Sequence, residues 1–284
     1  MGPQSSPLVS VCIPIYNCED YISQAIESVL GQTFTDLELI IIDNDSSDKS
    51  LELIKTYSDP RIRVIENDRN IGLEANWNLA LAEARGEYIK LLPADDFLLP
   101  QCLERQVNAF RQQGCESVVL TSCARNIVDA TGKRILTRQF PGKDRLIEGH
   151  LAIKKVVRSG TNLLGEPGAI LFRRDRIESA GVFDGSLLYV IDVDLWLRLL
   201  LDGYLYVVRE PLCSFRLSLG SQSIDIAAIQ SHHFSSFIKN LLSDRRYKLS
   251  RFDTYQGIIM SKVLAWGRKL VYAMTVRDVA GESE

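Results

Sequence analysis

"YIKLLPADDFLLP", residues 88–100, opens as a buried strand, runs into two adjacent carboxylates and then turns apolar again. Asp95 and Asp96 stand where a folding chain avoids like charges, because an unpaired buried charge is expensive. Two acids at a strand end suit a hard cation that keeps some of its water and takes its remaining oxygens from phosphate. They also suit a plainer role, in which one of them caps a helix beginning near Pro100. The sequence on either side sets the fold in which that choice is made.

Upstream, "LVSVCIPIY" (8–16) and "LELIII" (37–42) are nearly continuous in apolar character, as strands covered on both faces are. Asn17, with Asp20 three residues on, predicts a capped helix whose apolar stripe is Ile22, Ala25, Ile26 and Val29 and whose stop is Gly31. A short helix over about 48–57, a strand "RIRVIE" (61–66), a helix "GLEANWNLALAEARG" (72–86) and a strand "EYIKLL" (87–92) follow. Strand and helix alternating at short spacing predict a mostly parallel sheet with helices on both faces. In such sheets ligands bind beyond the carboxyl ends of the strands, where Pro14–Tyr16, Asp43–Asp48 and Asp95–Asp96 all fall. No glycine-rich phosphate loop follows the first strand, which argues against a dinucleotide dehydrogenase or a P-loop enzyme.

Beyond residue 100 the pattern loosens. A helix over about 100–113 precedes a strand "SVVLTSC" (117–123), and residues 125–159 are polar and basic with turn signals at "TGK" and "PGK". "GAILFRR" (168–174) and "YLYVVRE" (204–210) read as strands, "DVDLWLRLL" (192–200) as a helix, and everything from about Ile224 as helix.

The bulk composition is that of a soluble globular protein: 284 residues, 46% hydrophobic, 24% charged, net charge −3. That charge leaves no electrostatic footprint for nucleic acid. No run approaches the 18 or so apolar residues of a membrane span. The opening "MGPQSSPLVS" lacks the basic and apolar regions of a secretory leader. It matches an acylation pattern at Gly2 and Ser6, which Pro3 disfavours. Six cysteines without a CxxC pair read as buried thiols of a cytoplasmic protein.

Taken together, "SVCIPIYN", "ELIIIDNDSSDKS", "NIGLEANWNLALAEARGEYIKLLPADD" and "DVDLWLRLL" resemble the family 2 glycosyltransferases, inverting enzymes of the GT-A fold that use nucleotide-sugar donors. The resemblance is dense over 8–100, recognisable from about 162 to 223 and absent afterwards. It implies a catalytic domain over 1–223, with a nucleotide-sugar half at about 8–100 and an acceptor half at about 101–223, then a helical extension over 224–284. It implies that Pro14 and Tyr16 lie against the nucleotide base and that Asp43 accepts a hydrogen bond from it. A carboxylate only accepts, so uracil, whose N3–H donates, is a fitting base, and UDP the expected nucleotide; thymine presents the same N–H. Asp45 and Asp48 fit either as caps or as ligands. The resemblance assigns Asp95 and Asp96 to Mg²⁺ or Mn²⁺ and to the ribose without dividing the roles, since Pro93 replaces an acid common in the family.

In the second half, "GEPGAILFRR" (165–174) and "GVFD" (181–184) resemble the acceptor-side strand and turn, and Asp192 falls at the catalytic base, with Ile191 in place of the usual glutamate. Asp194 competes for that role, and a helix-start carboxylate serving the dipole is the plainer reading of either. Trp196 and Arg198 read as packing and helix-face residues. Arg216 matches a basic residue that approaches the diphosphate, and Ser218 stands where relatives carry histidine; His232 or His233 would have to substitute, or form a surface pair. The expected acceptor is a saccharide or lipid-linked saccharide, and the expected chemistry a single displacement with Asp192 ionised near a reference pKa of about 3.9. A sugar-nucleotide-binding protein without transfer activity and a sugar-phosphate nucleotidyltransferase are the competing classes; the latter lacks its basic glycine-rich loop here.

From Lys239 to Arg277 nine Lys or Arg face two Asp, and Ile259, Val263, Trp266, Leu270 and Met274 recur at helical spacing. Such a helix either lies on an anionic membrane, at the inner face of the cell membrane, or packs on the catalytic domain or a second subunit of a homo-oligomer.

Overall fold

The computed structural model describes residues 6–112, 114–143, 145–187, 189–217 and 227–281. Strands β1 (Val9–Ile15), β2 (Leu37–Asp43), β3 (Ile62–Glu66) and β4 (Tyr88–Leu91) alternate with helices α1 (Ile22–Leu30), α2 (Ser50–Ile54) and α3 (Leu73–Glu83). Then come β5 (Phe97–Leu98), α4 (Cys102–Phe110), β6 (Val118–Val128), β7 (Arg134–Arg138), β8 (Leu146–Glu148) and α5 (Gly149–Ser159). The chain continues through β9 (Ile170–Arg173), α6 (Ile177–Ala180), α7 (Ile191–Leu199) and β10 (Tyr204–Arg216) to two closing helices, α8 (Ala227–Ser243) and α9 (Arg251–Gly281).

All ten strands join one sheet in the order β3-β2-β1-β4-β9-β6-β10-β5, with β7 on β6 and β8 on β10. The expected parallel sheet is confined to β3-β2-β1-β4 and the β6–β10 pair; β9 runs antiparallel to both of its neighbours, β4 and β6. The continuous apolar runs have the expected cause. Along β1 and β2, Cys12, Ile40 and Ile42 enter one core, and Val11, Ile13, Leu39 and Ile41 enter another on the opposite face. With both faces covered, no alternation of polar residues survives. The helical residues Ile22, Ala25, Ile26, Val29, Leu103 and Val107 fill the second core. Residues of α3, α5, α7 and α8 fill the first, around the fully buried Trp196.

Several boundaries move for local reasons. Asn17 does not cap α1, which begins at Ile22 with no side-chain cap; its Oδ1 instead accepts from Ser47 N at 2.8 Å. Asp95 and Asp96 cap no helix, because β5 intervenes before α4. The polar stretch 125–159 holds β7, β8 and the amphipathic α5. β10 continues through Pro211, with register shifts on both sides of it, as a proline without an N–H requires within a sheet. Residues 218–226, including Ser218 and the start of the expected extension, lie outside the described residues, as does Gly2.

Candidate active site

β1 leads to β2 on one side and β4 lies on the other, so the strand order reverses at β1. The β1–β4 ladder ends at Cys12 and Leu91, whereas β1 stays paired with β2 as far as Ile15 and Asp43. The sheet therefore opens beyond Cys12, and this is the crevice where open α/β sheets bind ligands. Pro14 is buried beside Ile42, past the β4 ladder, and Tyr16 follows at the rim, 52% exposed. A half-exposed aromatic ring at a crevice mouth offers a flat apolar face.

Asp43 ends β2, buried, and accepts from Ser46 N at 3.2 Å. The loops after β1 and β2 are zipped together. Asn17 N donates to Ser46 Oγ (3.0 Å), Cys18 N to Ser50 Oγ (2.8 Å) and Glu19 N to Asp48 Oδ2 (3.0 Å). Asp48 also accepts from Ser50 N at the start of α2, so its part is a turn and cap acceptor; Asp45 is exposed, with φ +63°. Behind Asp43 a run of asparagines fixes the next loop: Asn44 Nδ2 donates to Asn70 Oδ1, and Asn67 Nδ2 donates to Asn44 Oδ1 and Asn76 Oδ1.

Asp95 and Asp96 sit in a tight turn closed by Asp96 N donating to Pro93 O at 3.0 Å. Asp96 is buried and accepts from Arg216 N at 2.9 Å. Burial pushes its carboxyl well above the usual carboxylate range, and the neighbouring Asp95 charge adds to that; burial raises Asp95 as well. A buried pair that disfavours its own ionisation, with no ion-pair partner among the described residues, fits a site completed by a cation. Among those residues no three His, Cys, Asp or Glu side chains gather as a metal cluster. The pair thus offers hard oxygen donors and leaves the other coordination positions to water and phosphate.

Arg216 is placed differently from the sequence expectation. Its guanidinium donates to Asp95 O (2.9 Å), Ala130 O (2.7 Å), Asp129 O and Gln24 Oε1, and lies over the Tyr21 and Phe97 rings at 4.6 and 5.7 Å. It is 2% exposed. This arginine clamps the aspartate turn from behind, and its backbone N–H is what meets Asp96.

Asp192 lies in the first turn of α7, half-buried. Its Oδ1 accepts from Val193 N at 2.7 Å and its Oδ2 from Asn162 Nδ2 at 3.0 Å. Asn162 is itself held in a closed loop, donating to Gly165 O and accepting from Gly165 N, both at 2.9 Å. Fully buried Arg125 pairs with Glu166 and donates to Asn162 O at 3.2 Å. Burial pushes the Asp192 carboxyl up to about 7, with the Glu166 charge adding to it and the Val193 N–H and Arg125 opposing. Ionisation near a reference value does not hold here. Glu166 also raises Asp96, so it stands within electrostatic reach of both aspartates. Asp194 is spent on Arg198, Oδ2 to Nη2 at 2.7 Å. His233 meets Tyr189 edge-on at 4.5 Å and neighbours His232, as a pair on α8.

Sequence reading missed Arg125, Asn162 and Glu166. Glu166 lay in the quoted "GEPG", but its significance rests on Arg125, 41 residues away. It missed Lys90 too. The ammonium, fully buried, donates to Gly168 O (2.8 Å) and Ile170 O (2.9 Å), and Gln106 Nε2 to Ala169 O (2.9 Å). Together they fasten the turn that follows Glu166 onto β4 and α4.

Residues 10–175 match the model of the family described as glycosyl transferase family 2. An uncharacterized glycosyltransferase of Methanocaldococcus jannaschii is 34% identical over 222 residues, 76% of this chain and 73% of that protein. Among solved structures, S. aureus TarS 1–349 in complex with UDP-GlcNAc superposes with a TM-score of 0.68 at 18% identity, over 89% of this chain and 71% of that one. The mannosyltransferase PcManGT from Pyrobaculum calidifontis, in complex with GDP-Man and Mn²⁺, gives 0.59 at 16% identity, over 93% and 71%. At such identities the likeness is one of fold, GT-A-like α/β with a central sheet.

Proposed function

The chain belongs to glycosyl transferase family 2, and from that premise we propose an inverting transfer of a sugar from a UDP-sugar to a hydroxyl of a saccharide or lipid-linked saccharide. Two observations carry this reading: the Asp95–Asp96 turn has no ion-pair partner among the described residues, and the Glu166 charge reaches both Asp96 and Asp192. In this reading residues 1–223 form the catalytic unit, about 8–100 for the donor and about 101–223 for the acceptor, and 224–284 an added helical unit.

The uracil ring lies against Tyr16 over the buried Pro14, and its N3–H donates to Asp43, which only accepts when ionised. Asp95 and Asp96 hold the ribose and a divalent cation, Mg²⁺ or Mn²⁺. When bound, that ion supplies positive charge to the diphosphate oxygens. Relatives in fold that bind UDP-GlcNAc, and GDP-Man with Mn²⁺, support this assignment. Arg216 keeps the aspartate turn in place through its N–H on Asp96.

Asp192 receives the proton of the attacking acceptor hydroxyl, which approaches the anomeric carbon from the face opposite the diphosphate. A carboxylate raised to about 7 is poised near neutral pH, where a general base works well. Asn162 fixes one carboxylate oxygen and Val193 N the other, which limits how the acceptor hydroxyl can meet the base. Asp194, tied to Arg198, has no such freedom.

The test is Asp192→Asn with a panel of UDP-sugars, with and without Mn²⁺. Transfer is lost while the donor-dependent rise in Tm is kept. Unchanged turnover would overturn the base assignment. Donor binding without transfer by the unaltered chain, across a broad acceptor panel, would favour a binding protein instead.

A further inference from the structure

Over residues 251–266, whose side chains are described, helix α9 has one face committed to the fold and one face exposed. On the committed side Asp253, Thr254, Gly257, Ser261 and Ala265 are buried. Asp253 is ion-paired with Arg158 of α5 at 2.5 Å, and Ser261 shares a hydroxyl contact with Ser235 of α8 at 2.9 Å. A Cβ at Gly257 would come within 2.1 Å of Val157 O, and one at Gly160 within 2.3 Å of Ser261 N, so the crossing with α5 is backbone to backbone. These contacts fix the rotation of α9. The opposite face therefore has a fixed identity: Phe252, Tyr255, Ile259, Val263 and Trp266, three or four residues apart and 43–67% exposed. Five large apolar side chains in one unbroken stripe are more than a scatter of exposed hydrophobics.

The charges around the stripe identify its occupant. Arg251 and Lys262 are exposed beside it, and the only carboxylate of α9 between 251 and 266, Asp253, is buried on the other side and already paired. The chain as a whole carries a net charge of −3, so this face is basic against an acidic background. A second copy of the same face would oppose like charges, whereas an anionic bilayer complements them. The residue types agree: Trp and Tyr favour the interfacial zone, where an apolar ring and a polar tip are both satisfied. No described helix is long and apolar enough to cross a membrane, so the fit is to lying in the interface plane.

We infer that the outer face of α9, Phe252–Tyr255–Ile259–Val263–Trp266 with Arg251 and Lys262, docks the protein on an anionic lipid surface. This goes beyond the transfer reaction, and its test does not involve turnover.

Full-length protein is sedimented with vesicles of phosphatidylcholine alone and with added phosphatidylglycerol. Binding is expected to the anionic vesicles, to weaken with added salt, and to fall about fivefold for each of Arg251→Gln and Lys262→Gln. The triple variant Phe252→Ser/Tyr255→Ser/Trp266→Ser, with an unchanged Tm, is expected to stay in the supernatant. As a readout independent of that variant's folding, anionic vesicles should blue-shift tryptophan emission, and Trp266→Phe should abolish the shift, because Trp196 is fully buried and Trp77 half-buried. Failure of the unaltered protein to bind anionic vesicles, equal binding by a folded triple variant, or a shift that survives Trp266→Phe would each overturn the inference. So would a concentration-dependent dimer that the triple variant dissolves without any vesicle binding, which would give the face to a second copy.

Discussion

At the amino ends of the strands, the Glu38 carboxylate takes a hydrogen bond from Ser10 Oγ (2.6 Å) and from Arg85 N (2.9 Å), with Arg63 at 3.8 Å. Arg63 in turn pairs with Glu83 at 2.5 Å. At the carboxyl ends, Asp95 and Asp96 share a turn with no ion-pair partner among the described residues, and Asp192 is held there by an amide and a backbone N–H. The same sheet thus satisfies its acids at one end and leaves them short of countercharge at the other. The satisfied end closes the α3–β4 junction. There Gly86 N also donates to Ser10 Oγ, and a Cβ on Gly86 would strike Ser10 N at 2.6 Å. In the proposed function, the unsatisfied end is where an incoming phosphate group and cation would complete the charge balance.

The comparison breaks first at Asp192. Asp192→Asn should lower transfer about 10²–10⁴-fold, and its Tm relative to the natural chain should depend on pH. The sign follows from the raised carboxyl: the native state prefers the protonated form, so its stabilising contribution is full below the usual carboxylate range near pH 4. It is lost as pH rises through about 7. Asparagine cannot ionise and keeps it. The Tm advantage of the variant over the natural chain should therefore widen between pH 5 and pH 8; a gap independent of pH would contradict the account.

Next in size is donor binding. A UDP-sugar at a hundred times its Kd, with Mn²⁺, should stabilise the natural chain by about 2.7 kcal/mol, read as a rise in Tm. Asp95→Asn/Asp96→Asn should remove the metal-dependent part while the ligand-free protein melts no lower. A double variant that melts lower without ligand would place these acids with the satisfied set.

At the opposite end, Glu38→Ala should cost about 1–3 kcal/mol in urea unfolding, because it strands the Ser10, Arg85 and Arg63 donors. The apparent affinity for donor should be unchanged. An equal loss of donor affinity would erase the contrast between the two ends.

The smallest effect is expected at Glu166. Its charge raises Asp192, so Glu166→Gln should move the rising limb of the pH–rate profile toward acid, with turnover on the alkaline plateau retained. Movement toward alkali would show that losing the Arg125 partner outweighs the charge itself.

The first hundred residues were readable for a physical reason. β1 and β2 are covered on both faces, so their apolar runs are nearly unbroken, and each ends where the sheet stops and polar residues begin. Pro14, Tyr16, Asp43, Asp95 and Asp96 stand at those ends, and order along the chain alone brings them to one edge. The second half was harder. Its strands pair antiparallel as well as parallel, α5 hid within a basic stretch, and Pro211 disguised the middle of a thirteen-residue strand.

The sequence by itself determined the alternating α/β core, the family and the strand-end position of the aspartates, since each is written in local pattern and in chain order. Only the tertiary structure decided that Asn162 holds Asp192, that Arg125 answers Glu166 and that Arg216 turns inward to Gln24 and the carbonyls behind Asp95. It alone decided which face of α9 stays outside. These partners lie tens to nearly two hundred residues apart. A contact closed across so long a loop leaves no periodic trace, and whether a polar side chain is buried depends on what the rest of the fold lays over it.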